Sequence, residues 1–231
     1  MPAINSIRAV CFDLDNTLWE VLPVIMRAER AMYDFLGQRY PRVVAAMSIE
    51  AMREARARVA IDHPHMCHDF SFLRKQALLN HASDHGYAAS MAEEAFEVFM
   101  RARNEIELYA DVRPALEVLY RRYRLFTASN GNADLRRIGL AHLFERSVAA
   151  REVGALKPDK AVFLKVIEAT DLQPAEVLYV GDDPELDVEG ARRAGMQTVW
   201  INRDAAPWPT ALAPPPHSVK SLIELNELLG L

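Results

Sequence analysis

The chain has 231 residues, 51% hydrophobic and 26% charged, with a formal net charge of −5. That balance belongs to folded globular domains, and the net acidity excludes a general nucleic-acid binder. No apolar run approaches the roughly 18 residues needed to cross a bilayer, so no membrane partner is expected.

The first element in chain order is a buried strand over Arg8–Asp13, short, apolar and ending on an acid. The residues before it, Met1 to Arg8, show no basic region followed by a long apolar stretch, so no secretory leader is expected. From there to Tyr109 no convincing strand occurs, only helix-period segments: Leu22–Leu36, Val43–Val59, Phe70–Ala82 and Ser90–Ile106. Roughly 90 helical residues between two strands are too many for an ordinary crossover, so they predict a separate inserted lobe. Strands follow at Tyr123–Ala128, more weakly at Arg146–Ala149, then at Val177–Val180 and Gln197–Ile201. Helices over Pro114–Arg122, Asp159–Thr170 and Pro184–Ala194 separate them. The proline-rich stretch Ala205–His217 predicts an extended loop, and Val219–Leu229 a closing helix. Strands alternating with helices imply right-handed crossovers and a doubly wound parallel sheet. The expected domains are an α/β core over 1–18 and 110–231 and a helical lobe over 19–109. Two cysteines, Cys11 and Cys67, are too few for a disulfide framework and point to a reducing cytoplasm.

Polar residues gather at the C-terminal ends of the strands, where an open parallel sheet places its ligand. After the first strand come Asp13, Asp15 and Thr17; two carboxylates two residues apart on an extended chain face the same side. Such a pair repels unless a divalent cation or a reacting phosphate relieves it; the plainer reading is an Asp-rich turn. After the second strand, Ser129-Asn130-Gly131 is a turn signal whose hydroxyl and backbone N–H could also grip a phosphoryl group. Lys157-Pro158 precedes a helix, with Pro158 suited to its first position, and either offers a point positive charge or lies on the surface. Gly181-Asp182-Asp183-Pro184-Glu185-Leu186-Asp187 holds four carboxylates in six residues. Helix capping needs one or two of them, and a hard, oxygen-liganded cation such as Mg²⁺ accounts for the rest.

The order and placement of these four clusters resemble the haloacid dehalogenase superfamily. Its motifs match Asp13-x-Asp15-x-Thr17, Ser129-Asn130-Gly131, Lys157-Pro158 and Gly181-Asp182-Asp183-x-x-x-Asp187, and the helical insertion sits where the superfamily's C1 cap sits. Asn16-Thr17-Leu18, Ser129-Asn130-Gly131-Asn132-Ala133 and Gly190-Ala191-x-x-Ala194-Gly195-Met196 look most like the branch with flavin mononucleotide phosphatase-like enzymes. The resemblance implies a Rossmann-like core with an α-helical cap, Asp13 as nucleophile and Asp15 as general acid–base. It implies Mg²⁺ held by Asp13, the carbonyl of Asp15 and Asp182. Ser129, Asn130 and Lys157 then bind the phosphoryl group, and Thr17, Asp183 and Asp187 support the site. Superfamily dehalogenases lack an acid at the position of Asp15, whereas phosphatases and phosphomutases keep it. A small phosphomonoester follows as substrate, flavin mononucleotide or a nucleotide monophosphate ahead of a sugar phosphate, handled by a monomer or homodimer.

The cap is expected to cover the sheet edge and contact the leaving group. Trp19 either offers a stacking face for a planar ring or packs the core–cap hinge, and Arg74 is a candidate contact to an anionic leaving group. His63, His65, Cys67, His68 and Asp69 lack a defined ligand spacing and read as a polar loop, and Cys11 as buried packing. The paired arginines Arg121–Arg122, Arg136–Arg137 and Arg192–Arg193 read as solvated helix faces. Two rival readings remain: a phospho-receiver module, which orders its lysine and acids differently and lacks the insertion, and an inactive relative, although every catalytic position is filled.

Overall fold

Four apolar residues with no exposed side chain, Ala9–Phe12, form strand β1 at the centre of a six-stranded sheet. The computed structural model describes residue 4, residues 6–215 and residues 217–231. Strands β2 (Arg124–Ser129), β3 (Arg146–Ala149), β4 (Val177–Gly181), β5 (Gln197–Ile201) and β6 (Ser218–Val219) join it in the order β3-β2-β1-β4-β5-β6. Every pairing is parallel. The sheet is α/β and Rossmann-like, as expected, with β6 an addition in a stretch read as loop and helix. The chain runs outward in both directions from β1, so the crevice between β1 and β4 is the topological switch point, where such sheets bind ligands.

The chain divides into two compact units. One runs to Glu20 and resumes over Glu107–Gly131 and Leu135–Leu231; the other is Val21–Ile106 with Asn132–Asp134.

The second unit holds α1 (Val21–Arg39), α2 (Pro41–Ala46), α3 (Ile49–Asp62), α4 (Phe70–Asp84) and α5 (Ser90–Arg103). On α1 the buried residues Val24, Ala28, Met32 and Leu36 recur every fourth position, one stripe of a 3.6-residue helix. Of these, Ala28, Met32 and Leu36 pack with Val43, Leu78, Met91 and Phe99 into a core of this unit's own. Burial of each such side chain stabilises by about 1.5–3 kcal/mol. The single helix expected over Val43–Val59 is two helices. Met47 turns extended, and the Ser48 hydroxyl accepts the Ala51 N–H at 3.2 Å to cap a new start.

The first unit contains α6 (Val112–Tyr120), α7 (Leu135–Ile138), α8 (Ala150–Val153), α9 (Lys160–Ile167), α10 (Gly190–Arg193) and α11 (Leu222–Leu228). Cys11, Phe126, Ala128 and Tyr179 on one sheet face pack against Val162, Phe163 and Val166 of α9. Three boundaries differ from expectation. Pro158 is not the first residue of α9, because Asp159 caps that helix, accepting the Ala161 N–H at 2.8 Å. Pro184–Glu189 is a wider, π-type turn before α10. The closing helix starts at Leu222, capped by Ser221, rather than at Val219, which pairs in β6. Ala205–His217 has no strand or helix among its described residues; Pro216 lies outside them.

Candidate active site

Asp13 extends the ladder one residue past β1: its N–H donates to the Val180 carbonyl at 2.9 Å. The chain then folds back on itself. Asn16 takes a left-handed conformation (φ 62°), its N–H donates to the Trp19 carbonyl at 2.7 Å, and the Leu18 N–H to the Leu14 carbonyl at 2.8 Å. Asparagine is among the few side chains that tolerate this geometry. The loop therefore delivers Asp13 and Asp15 from a rigid turn rather than from a continuing strand.

Lys157 ties the motifs together. Its ammonium lies 2.5 Å from Asp13 Oδ1, 2.6 Å from Asp187 Oδ1 and 3.1 Å from the Tyr179 hydroxyl, all buried. The Tyr179 hydroxyl is also 3.0 Å from Asp187 Oδ1 and 3.0 Å from the Ala128 carbonyl. The Lys157 backbone is latched to β2's turn: its N–H donates to Asn130 Oδ1 at 2.7 Å, and the Asn130 amide donates back to the Lys157 carbonyl at 3.3 Å. The peptide Lys157–Pro158 is cis. Ser129 Oγ accepts the Gly131 N–H at 2.9 Å, which leaves its hydroxyl proton to donate elsewhere.

On the β4 side, Gly181 is required by proximity. A Cβ there would lie 2.4 Å from the Asp187 carboxyl carbon. Asp187 can reach Lys157 only because this position has no side chain. Asp187 Oδ2 accepts the Asp183 N–H at 3.0 Å. Asp183 itself caps the turn that follows, its Oδ1 accepting the N–H groups of Glu185 and Leu186 at 2.8 Å each. Asp182 receives the Thr17 hydroxyl at 3.4 Å, and its carbonyl accepts the Trp200 indole N–H at 2.7 Å.

The charges do not balance. Asp13, Asp182 and Asp187 each bring a carboxylate oxygen within 4.8 Å of the others, against a single ammonium. Burial, reinforced by Asp187, pushes Asp182 up to about 7. Burial, with Asp187 and Asp182 adding to it, also drives Asp13 upward. Burial alone would discharge Lys157, but Asp13 and Asp187 more than offset it and hold the ammonium charged. Lys157, 2.5 Å from Asp13, opposes that rise without cancelling it, and three carboxyl groups still crowd one ammonium. A compact, all-oxygen donor set with surplus charge fits a hard divalent cation.

Two expectations are corrected. Trp19 is fully buried and no open aromatic platform; its indole N–H donates to Asp15 Oδ1 at 2.8 Å. Arg74 is buried within the helical unit, 3.3 Å from Glu29 and 3.6 Å from the Phe99 ring centroid. Among the described residues, the histidine-rich segment does not form a metal-binding group. His63 packs edge-on to His65 and Phe72, and Asp69 caps α4, accepting the Ser71 and Phe72 N–H groups.

Sequence reading missed three contributors. Tyr179 is the one polar-tipped residue of β4, and a buried tyrosine hydroxyl needs partners. Trp200, on β5, holds the Asp182 backbone. Arg203 stands just past β5, at the same kind of strand end that carries the other polar residues. Its guanidinium donates to the Thr17 carbonyl at 2.9 and 3.1 Å and to both Asp111 oxygens at 2.9 and 3.1 Å. Asp111 Oδ2 in turn accepts the Leu222 N–H at 2.7 Å, so Arg203 anchors the Asp13–Trp19 loop to the body of the unit.

A family model of haloacid dehalogenase-like hydrolases matches residues 7–195, and the chain belongs to that family. Its phosphatase homologues make it an enzyme of the phosphoric monoester hydrolase class. It is 32% identical over 202 residues to 5-amino-6-(5-phospho-D-ribitylamino)uracil phosphatase YigB of Escherichia coli, covering 86% of this chain and 84% of that protein. Over 229 residues it is 30% identical to a phosphoserine phosphatase of Thermus thermophilus, covering 87% and 90%. A crystal structure of a 2-haloacid dehalogenase from Pseudomonas syringae superposes with a TM-score of 0.91 at 36% identity, covering 97% of this chain and 98% of that one. Among the described residues no helix is long and apolar enough to cross a membrane.

Proposed function

We propose that the chain is a Mg²⁺-dependent phosphatase that works through an aspartyl-phosphate on Asp13. The observation that carries this reading is the buried Asp13 carboxylate, 2.5 Å from the Lys157 ammonium at the switch point of the sheet. An Asp13 oxygen attacks phosphorus, and the bond to the departing alkoxide breaks with its electron pair on that oxygen. Asp15 protonates the alkoxide, then takes a proton from the water that cleaves the phospho-aspartate and frees inorganic phosphate. The Ser129 hydroxyl, the Asn130 backbone N–H and the Lys157 ammonium donate to the phosphoryl oxygens as their charge shifts. Thr17 and Asp187 keep Asp182 and Lys157 in place. Asp13, the carbonyl of Asp15 and Asp182 would hold Mg²⁺, which when bound offsets the repulsion between the nucleophile and a phosphate dianion.

For the substrate we favour a small phosphomonoester, flavin mononucleotide or a nucleotide monophosphate ahead of a sugar phosphate. The name of the Escherichia coli relative, a ribityl phosphate bearing a uracil ring, supports that order. The buried Trp19 does not, so ring recognition falls to other residues. Mg²⁺-dependent release of inorganic phosphate from p-nitrophenyl phosphate, abolished by EDTA and restored by Mg²⁺, is the expected result. Undiminished turnover in excess chelator would remove the metal from the site. A k_cat/K_M panel of flavin mononucleotide, nucleotide monophosphates and sugar phosphates tests the substrate class.

The likeness to a dehalogenase structure favours a second reading, attack of Asp13 on a halogenated carbon. Asp15 argues against it, because halide leaves without protonation. Chloride release from 2-chloropropionate faster than phosphate release from any phosphomonoester would reverse the assignment.

A further inference from the structure

We propose that Trp200 is a positioning residue for the cation site, and that its indole N–H makes this site prefer Mg²⁺ to Ca²⁺. The inference rests on the metal part of the function proposed above, and concerns a residue that is itself no ligand.

Asp182 stands one residue past β4, whose last residue, Gly181, still pairs with Trp200 of β5. Beyond that point the ladder ends, so the backbone polar groups that follow need side-chain partners. They find two. The Trp200 indole N–H donates to the Asp182 carbonyl at 2.7 Å, and Asp187 Oδ2 accepts the Asp183 N–H at 3.0 Å. That carbonyl and that N–H belong to one planar peptide, which is therefore gripped from both edges. With Gly181 held in the ladder on the other side, the Asp182 backbone is fixed, and with it the direction of its Cβ. The carboxylate itself is loosely held. It receives the Thr17 hydroxyl at 3.4 Å, beyond the roughly 2.5–3.0 Å of a good O–H···O bond.

Trp200 is in turn fixed by its surroundings. It is 5% exposed, and its ring packs edge-on against Trp208 with centroids 5.0 Å apart. Its backbone N–H donates to the His217 carbonyl at 3.0 Å. An indole is a donor only, so it reaches a cation through Asp182 and in no other way. Mg²⁺ demands near-ideal octahedral geometry at short distances, whereas Ca²⁺ accepts loose and variable arrangements. Releasing the Asp182 backbone should therefore weaken Mg²⁺ much more than Ca²⁺.

Isothermal titration of the substrate-free full chain with MgCl₂ and with CaCl₂, at constant ionic strength, tests this. Trp200→Phe keeps a ring in the same place and removes the N–H. Trp208→Phe removes an indole from the same aromatic pair without touching Asp182. In Trp200→Phe, Mg²⁺ should bind about tenfold more weakly and Ca²⁺ less than about threefold more weakly. Trp208→Phe should alter neither. Equal losses for the two cations, or the same Mg²⁺ loss in Trp208→Phe, would mean a general loosening of the sheet end and overturn the proposal. If wild type binds Mg²⁺ and Trp200→Phe binds it equally well, this inference alone fails. A wild-type chain that binds neither cation would remove the metal reading and this inference with it.

Discussion

The two units each bury an ionic cluster, and the two clusters are unbalanced in opposite directions. In the α/β unit, three carboxylates face one ammonium, Lys157. In the helical unit, three guanidinium groups face the buried carboxylate of Glu29, and one of them, Arg53, also lies 3.9 Å from Glu50. Charge removed from water is costly unless paired, and a balanced pair would serve stability at least as well. The surplus of negative charge in the first cluster therefore marks a place where the fold leaves room for an outside cation, whereas in the second Arg53 and Arg56 reach solvent.

Breaking the first cluster should stop chemistry without unfolding the protein. Asp13→Asn keeps the shape of the side chain while removing the nucleophile and one charge of the cation site. We expect k_cat to fall by about a thousandfold or more, with circular dichroism unchanged. A folded variant retaining more than about a hundredth of wild-type k_cat would contradict the covalent mechanism.

Breaking the second cluster should do the reverse. Glu29→Gln leaves Arg74 buried without its carboxylate, whereas Arg53 and Arg56 are 40% and 32% exposed and can turn to water. A broken buried pair costs about 3–5 kcal/mol, and that exposure places the loss near the lower bound, about 3 kcal/mol. Urea unfolding measures it; a change under about 1 kcal/mol would mean that Glu29 does not hold the arginines.

The two clusters also differ in how far they could be read from sequence. Asp13, Ser129, Lys157 and Asp182 each stand at a strand end or ahead of a helix, in short motifs. The parallel sheet then brings those ends to one edge, so element order alone nearly assembles the site. Glu29, Arg53, Arg56 and Arg74 sit on three helices with no motif. Which way each helix is turned decides whether an arginine is solvated or buried, and periodicity leaves that open: Glu29 directly follows Ala28 of the apolar stripe. For the same reason Arg74 reads from sequence only as a candidate contact to a substrate, and it is committed to Glu29 and Phe99. Trp19 was misread for a different cause. The left-handed turn at Asn16 sends the chain back on itself, and neighbours in sequence do not announce such a reversal. The split at Met47–Ser48 and the short β6 were missed because a few residues decide them locally.

Trp19 supplies a smaller test within the first cluster. Trp19→Phe keeps most of the buried ring but removes the indole N–H that fixes Asp15 Oδ1. A hydrogen bond to a charged group contributes about 1.5–3 kcal/mol, part of which should appear in k_cat as a loss of about tenfold. The loss should be greater for alkyl phosphates than for p-nitrophenyl phosphate, whose leaving group needs little protonation. Equal losses for both would mean that Trp19 packs the loop without orienting the general acid.

The smallest effect expected belongs to His81 and is a dependence on pH. Burial, with the nearby His85 and Arg58 acting in the same direction against Asp84, lowers its pKa in the folded protein. Arg53, Arg56 and Arg74, which line a small cavity together with His81, leave no surplus negative charge to stabilise an imidazolium, since Glu29 is already shared among them. The folded state thus keeps His81 neutral, while an unfolded chain protonates it near pH 6.5. Below that value the unfolded state binds the extra proton, so stability falls as pH drops from about 6.5 toward the folded pKa. One proton bounds the slope at about 1.4 kcal/mol per pH unit. His81→Leu removes the proton along with a buried Nε2 that has no hydrogen-bond partner, so its stability should decline less steeply than wild type between about pH 6.5 and 5. The two urea-midpoint curves, measured side by side, cancel the carboxylates common to both proteins. Parallel curves would show that His81 takes up its proton as readily in the folded protein as in the unfolded chain.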